Sequence, residues 1–305
     1  MWLGPESQRQ VERGLAAGCR TAAPLEALRH TQRFLRQDAE DSGGQAMTGK
    51  KPTRIKTQMA TMTEDTITVR GVDLVDGLMG KIDAAALYYL EVMGRLPGEA
   101  ENKLLNAMIV AIAEHGMMPS VIAARLTLMG APESFQGAVA SGLLGAGDVF
   151  VGPTSNVARL LQVEVAQLQG TPEEKAEQIV AAYGKAKRRI PGLGHPHHKI
   201  DPRSEKLLAM QSELGVSETH SKQMLAIQQA AIKSSGRHLT FNAVAAVGAI
   251  ASDIGIDWRA VRGIGLIART IGLIGHVLEE MKQPSSQAIW DLVLDNTDYS
   301  DPASD

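Results

Sequence analysis

Residues 188–203 read R-R-I-P-G-L-G-H-P-H-H-K-I-D-P-R, and no other stretch combines so many backbone-permissive residues with so many titratable ones. Gly192 and Gly194 lack a Cβ, so the main chain there can adopt positive φ or approach a ligand closely. The two prolines stiffen the turns and bias the residues before them toward extended conformations. This stretch, called the signature loop below, therefore predicts a short rigid loop that presents His195 at a fixed place.

The signature loop leads into a predicted helix. Asp201 can cap that helix, and Pro202 fits its first position. Arg203 then lies in the first turn, close to the loop. Three more titratable residues belong to the loop: His197, His198 and Lys199. So many ionisable groups on a stiff turn are typical of a ligand-binding or catalytic site.

Composition restricts the class of protein. The 305 residues include 31 Lys and Arg against 34 Asp and Glu, a net charge of −3, which argues against a general nucleic-acid binder. The single cysteine, Cys19, excludes an intramolecular disulfide and fits a reducing compartment, so we expect a cytoplasmic protein. No uninterrupted apolar run reaches the roughly 18 residues of a membrane span, and we expect no membrane partner.

The pattern of apolar residues favours packed helices. Aromatic residues make up only 4% of the chain, while Ala, Gly, Leu, Ile and Met are abundant. The best strand is 66–71, where β-branched and polar residues alternate. Residues 101–114 are apolar almost all round and predict a buried helix, with Gly116 as its left-handed cap. A second apolar run covers 239–254.

Residues 1–51 do not resemble the rest of the chain. They carry scattered charges of both signs and no sustained apolar face, so they match neither an organelle-targeting peptide nor a secretory signal. We expect a disordered or weakly ordered extension, with the folded protein starting near Pro52.

The pattern P-G-x-G-H-x…K-x-D-P-R at 191–203 resembles the signature of the citrate synthase superfamily. Segments 114–125, 141–150 and 266–276 resemble the citryl-CoA lyase module of ATP-citrate lyases. Citrate synthases have a His in the loop that matches 151–156, where this chain has Thr154 or Ser155. The lyase module also lacks that His, so the resemblance favours a lyase over a synthase.

The resemblance implies an all-α, citrate synthase-like fold with two lobes. The larger lobe would combine residues 52–156 with 241–305, and the smaller would comprise 157–240. It also implies a homodimer.

The implied reaction makes or breaks the carbon–carbon bond between an acetyl-CoA unit and oxaloacetate or a related keto acid. The partners would be small molecules, an acyl-CoA and a di- or tricarboxylate, with the coenzyme A thioester as substrate and no permanently bound cofactor. By resemblance, His195 takes the proton of the tertiary hydroxyl, while His115, Arg203 and Arg269 hold carboxylates. Arg269 lies on an otherwise apolar helix and therefore needs a partner.

Two histidines also have a structural interpretation. From spacing alone, His115 is a helix-terminating residue that bonds free carbonyls. His276 falls on the same helical face as Arg269, and we expect a hydrogen-bonded supporting residue there rather than a catalyst.

The coenzyme A site is predicted from the cations around the loop glycines. Its predicted members are Lys187, Arg188, Arg189, Gly192, Gly194 and Lys199. The functional interpretation is a clamp on the phosphates of the coenzyme. The alternative is a solvated helix C-terminus, where cations are favoured by the helix dipole.

The catalytic acid of the family is replaced. Its N-V-D-G segment corresponds to 240–243, so Asn242 occupies the place of the Asp. An amide cannot exchange a proton at neutral pH. Three interpretations stay open: another group or a water supplies the proton, the substrate is a different hydroxyacyl-CoA, or the protein binds an acyl-CoA without turnover.

A metal site is the remaining alternative. His195, His197, His198 and Asp201 could together ligate zinc or iron. We predict no metal, because Pro196 and the helix start at Pro202 already explain the spacing.

Overall fold

The computed structural model describes residues 56–194 and 199–301. The chain divides after Lys56, and the following description concerns the unit Thr57–Asp305. The predicted extension 1–51 lies outside the described residues, as do His195, His197 and His198 of the signature loop.

A small antiparallel sheet opens the described chain. It consists of β1 (Ala60–Met62), β2 (Ile67–Val69) and β3 (Val72–Asp73), in that order. The strand predicted over 66–71 is therefore present but shorter. It ends because Arg70 and Gly71 both have positive φ, 49° and 82°, and form the turn into β3.

Helices form the rest of the fold. They are α1 (Ala84–Met93), α2 (Glu99–Ala113), α3 (Pro119–Gly130), α4 (Phe135–Leu144), α5 (Pro153–Arg159), α6 (Pro172–Lys185), α7 (Pro202–Glu213), α8 (Thr219–Ser235), α9 (Ala243–Asp253), α10 (Trp258–Lys282) and α11 (Ser286–Asp295). Short π-helical segments cover Leu74–Leu78 and Leu160–Glu164, and a 3₁₀ turn covers Val165–Gln167. The prediction of an all-α protein is confirmed.

Helix α9 is the centre of the core. It packs against α2, α5, α7 and α8, and nearly all its residues are buried. Its small residues allow the close approach: a Cβ at Gly248 would lie 2.6 Å from the Val157 Cβ on α5. The helix begins later than the apolar run 239–254 suggests, because the residues before Ala243 are extended.

Helix α10 joins the second part of the core. It packs against α2, α3, α4 and α5. By length and composition it would also qualify as a membrane span. Its apolar run is not uninterrupted, because Arg262 and Arg269 lie within it. Its four helical neighbours bury one face of the helix, while Leu266, Ile271, Ile274, Leu278 and Met281 stay exposed on the other.

Candidate active site

The signature loop lies along the segment that precedes α9. Gly194 N donates to the Thr240 carbonyl at 2.7 Å, and Asn242 N donates to the Gly192 carbonyl at 3.2 Å. Gly192 and Gly194 have φ values of 80° and 92°, which confirms the predicted need for glycine. The described part of the loop is thereby fixed against the core up to the residue before His195.

Asn242 clamps this loop to α9. Its Oδ1 accepts from Ala245 N at 3.1 Å and caps the helix. Its Nδ2 donates to the Gly194 carbonyl at 2.8 Å. A carboxylate could form the cap but could not donate to that carbonyl. The amide at this position therefore has a structural task that an ionised Asp would not perform.

A cleft of about 290 Å³ gathers residues from six helices or their ends. It brings together five of the predicted site residues: His115, Gly194, Arg203, Asn242 and Arg269. Thr154 also lines it, at the place where the synthase pattern would have its His. The remaining wall is mainly apolar, formed by Ile112, Met118, Val149, Phe150, Val151, Ala243, Val244 and Gly265.

Arg203 is held by a buried carboxylate. Asp201, which is fully buried, accepts from Arg203 Nε at 3.0 Å and from Nη2 at 2.9 Å. The same carboxylate caps α7 and accepts from Ala243 N at 2.8 Å. Burial opposes the charge of Asp201, but the bonds from Arg203 and Ala243 outweigh it and lower the pKa below its ordinary value of 3.8. Arg203 thus faces the cleft with a fixed guanidinium.

Arg269 has no such partner. Among the residues that the structure describes, its guanidinium makes no hydrogen bond and no ion pair. Burial lowers its pKa from the ordinary value of 12.5; the charge of Glu114 opposes this shift, and that of Arg203 adds to it. A half-buried guanidinium in this situation favours an anionic ligand.

His115 lies in the cleft wall, just beyond the end of α2. The helix ends at Ala113, Glu114 is extended, and Gly116 adopts the predicted left-handed conformation with φ 69°. His276 Nδ1 lies 2.8 Å from Arg125 Nη2, and its Nε2 lies 3.1 Å from Glu114 Oε2. His276 is therefore hydrogen-bonded, as predicted.

A second, basic cleft of about 650 Å³ lies on the other side of Gly194. Arg188 and Arg189, two of the residues predicted to bind coenzyme A, line it, and Arg237, which follows α8, adds a third cation. The Arg188 guanidinium is 4.8 Å from the centre of the Tyr183 ring. Because Gly194 lines both clefts, they meet at the signature loop.

Three predicted coenzyme-site residues occupy other positions. Lys187 and Lys199 are not among the described residues that line either cleft. Gly192 packs under α9, where a Cβ would lie 2.9 Å from Ala245 Cα. Its absent side chain serves close packing.

The described residues hold no group of three or more metal-ligating side chains. Of the four residues considered for a metal, Asp201 is committed to Arg203 and Ala243. The three histidines lie outside the described residues.

The protein-family model for the citrate synthase C-terminal domain matches residues 6–290 of this sequence. The chain belongs to the citrate synthase family. Its fold is that of citrate synthases, and its resemblance to citryl-CoA lyase is supported by solved structures. No match was found among curated proteins.

Three solved structures show the relationship within the citrate synthase family. Citryl-CoA lyase from Hydrogenobacter thermophilus is 31% identical, with 81% of this chain and 94% of that chain covered and a TM-score of 0.74. ATP citrate lyase from Methanosaeta concilii is 20% identical over 88% of this chain and 44% of that chain, with a TM-score of 0.65. Citrate synthase from Thermotoga maritima is 18% identical over 73% of this chain and 58% of that chain, with a TM-score of 0.57. The last two show the fold alone.

Three features of this site were not predicted from the sequence. The first is the pairing of Asp201 with Arg203, although the D-P-R spacing places both in one helical turn. The second is Arg237, whose only signal is its position after the cap Gly236. The third is Glu114, which meets His276 across 162 residues of sequence.

The Asp201 carboxylate gives a testable pH dependence. Because its folded pKa lies below 3.8, it stabilises the fold above about pH 3.8, and this contribution is lost as the pH falls further. We expect Asp201→Asn to lower the free energy of unfolding by roughly 3 kcal/mol at pH 7 and by less at pH 3. Urea unfolding at both pH values measures this.

Asp257→Asn is the matched control. Asp257 caps α10 and pairs with Arg259 in the same D-x-R arrangement, but at an exposed site. Its loss should change the unfolding free energy by about 1 kcal/mol or less. Equal effects of the two variants would contradict the role given to the buried carboxylate.

Proposed function

We propose that this enzyme cleaves or forms the carbon–carbon bond between an acetyl-CoA unit and oxaloacetate or a related keto acid, as a citryl-CoA lyase or citrate synthase does. The observation that carries the proposal is the cleft in which Arg269, Arg203 and His115 meet beside Gly194. Support also comes from the 31% identity to a citryl-CoA lyase that is covered almost completely.

Carboxylate recognition is the first requirement of this reaction. Arg269 offers a planar fork that no described residue pairs with, which suits two parallel hydrogen bonds to one carboxylate. Arg203 is restrained by Asp201, and among the described residues its remaining Nη1 donates to the Ala111 carbonyl alone, at 3.5 Å. We infer that Arg269 binds one carboxylate firmly, while Arg203 and His115 orient the acid so that the reacting carbons stay aligned.

The second requirement is a place for the coenzyme. Arg188, Arg189 and Arg237 give the second cleft the positive charge that phosphates need. A thioester that reaches past Gly194 would pass from this cleft into the first. The Methanosaeta concilii ATP citrate lyase, which shares the fold, was itself solved with (3S)-citryl-CoA. Coenzyme A would enter and leave as part of a substrate.

The third requirement is proton transfer. We assign to His195, which directly follows the clamped Gly194, the proton of the tertiary hydroxyl in the cleavage direction. Asn242 has no proton to give, and its amide already bonds Gly194 and Ala245. The enolate carbon must then be protonated by water or by another group.

A non-catalytic acyl-CoA sensor is the second candidate function. It is favoured by one observation, the amide at the position of the family's catalytic acid. The two functions differ in whether acetyl-CoA is released from bound citryl-CoA.

We expect Arg269→Gln to raise the KM for the carboxylic acid at least tenfold, because one charge-assisted pair of hydrogen bonds is lost. The measurement is acetyl-CoA release from citryl-CoA, or the reverse condensation with oxaloacetate. Arg259→Gln, an exposed change on the same helix, should leave the KM unchanged. Equal KM values for wild type and Arg269→Gln would contradict the placement of the acid.

We expect Asn242→Asp to increase citryl-CoA cleavage about tenfold or more, since a general acid becomes available. The gain should be larger at pH 6 than at pH 8. The reason is that the new carboxyl faces the Gly194 carbonyl oxygen and keeps the 2.8 Å bond only when protonated.

Asn242→Ser is the control for this experiment. A serine can still cap α9 but cannot reach the Gly194 carbonyl, so activity should fall. If Asn242→Asp gives no gain at any pH, Asn242 does not occupy the place of the acid.

We also infer a homodimer. Helices α10 and α11 expose a set of large apolar side chains: Leu266, Ile271, Ile274, Leu278, Met281, Trp290, Leu292, Val293 and Leu294. A second copy that covers them would remove this surface from water. Light scattering should give twice the chain mass of 32.6 kDa. A monomer at micromolar concentration would contradict the inference.

A further inference from the structure

A hydrogen-bonded chain runs from the core to the edge of the first cleft. Its first member, Arg125 on α3, has a side chain only 3% exposed and pairs with Glu280 at 2.8 Å and with Glu279. Arg125 Nη2 also lies 2.8 Å from His276 Nδ1. His276 Nε2 in turn lies 3.1 Å from Glu114 Oε2.

The partners define the tautomer of His276. A guanidinium can only donate, so Nδ1 must accept from Arg125. The proton of the neutral imidazole is then on Nε2, from which it is donated to the Glu114 carboxylate. His276 Nε2 therefore donates to Glu114, and the buried Arg125 guanidinium at Nδ1 is what fixes the proton on Nε2.

Glu114 lies between His276, to which it is hydrogen-bonded, and Arg269, whose positive charge attracts it. On α10, Arg269 and His276 are seven residues apart and share one face, and Gly272 lies between them. A Cβ at Gly272 would collide with the Glu114 side chain and with the Ala113 carbonyl oxygen. The carboxylate thus passes directly over α10, within electrostatic range of Arg269 but without an ion pair to it.

We propose that His276 is a positioning residue: by holding Glu114, it keeps that carboxylate from pairing with Arg269 and leaves the guanidinium open to the carboxylate of the substrate. This role rests on the proposed function only insofar as Arg269 binds the acid. Without His276, Glu114 becomes an internal competitor. Only the fraction of molecules with an open Arg269 then binds the acid, so the apparent affinity falls by that fraction.

The test compares four proteins: wild type, His276→Leu, the double variant His276→Leu with Glu114→Gln, and the control His220→Leu. His220 likewise bonds a carboxylate, that of Asp253, which is buried whereas that of Glu114 is half-exposed, and His220 lines neither cleft. Arg125 keeps Glu279 and Glu280 in every variant. If His276→Leu does not fold by circular dichroism, His276→Asn, whose shorter amide cannot reach Glu114, replaces it.

The first readout needs no turnover. Phenylglyoxal modifies accessible guanidinium groups, and peptide mass spectrometry gives the rate at Arg269. We expect His276→Leu to slow this rate about fivefold, because Glu114 then pairs with Arg269 in most molecules. The double variant should restore it, because an amide does not compete for the cation. His220→Leu should label like wild type.

The second readout is kinetic. The KM for the acid should rise by the same factor, about fivefold, in His276→Leu, with kcat within twofold of wild type, and should return to the wild-type value in the double variant. Unchanged labelling in His276→Leu, or a double variant that restores neither labelling nor KM, would overturn the proposal. If wild type shows no turnover at all, the proposed function fails, and the labelling rates alone decide the role of His276.

Discussion

The fully buried carboxylate of Asp201 joins the two helices, α7 and α9, on which the site depends. It caps α7, fixes the guanidinium of Arg203 and accepts from the first backbone N–H of α9. Ionising a carboxyl group in the core is unfavourable, and only this set of donors compensates for it. Because the donors belong to different parts of the chain, the carboxylate stays satisfied only when α7 and α9 meet as they do. The position of Arg203 in the cleft is thereby tied to the folding of the core.

The start of α9 is the common support of both clefts. Asn242 caps the helix and bonds Gly194, while Ala243 N bonds Asp201. The signature loop runs antiparallel to this segment, with Leu193 opposite Phe241. On one side lie the arginines suited to carboxylates, and on the other lie those suited to phosphates. This arrangement makes Gly194 the point at which a thioester between the two groups would lie.

The sequence predicted the helical fold and the main members of the first cleft, because family motifs identify His115, Arg203 and Arg269 individually. It also predicted the conformations of Gly116, Gly192 and Gly194, which depend on local sterics. It could not show that Asp201 serves both as a cap and as the partner of Arg203. Nor could it show that Asn242 donates to Gly194, or that Arg237 lies beside Arg188. The contacts of Asn242 and Arg237 depend on packing between distant segments, for which one sequence contains no signal. The Asp201–Arg203 pair is local, but only the packing shows that the carboxylate is buried and also accepts from Ala243 N. The predicted lobe boundaries at 156 and 240 stay predictions.

The most direct measurement is a crystal structure of the protein with coenzyme A and oxaloacetate bound. The account predicts a carboxylate of the keto acid within hydrogen-bonding distance of both terminal nitrogens of Arg269. It also predicts the coenzyme phosphates beside Arg188, Arg189 and Arg237, and the thiol near Gly194. Ligands bound elsewhere, or an Arg269 that contacts no carboxylate, would contradict it.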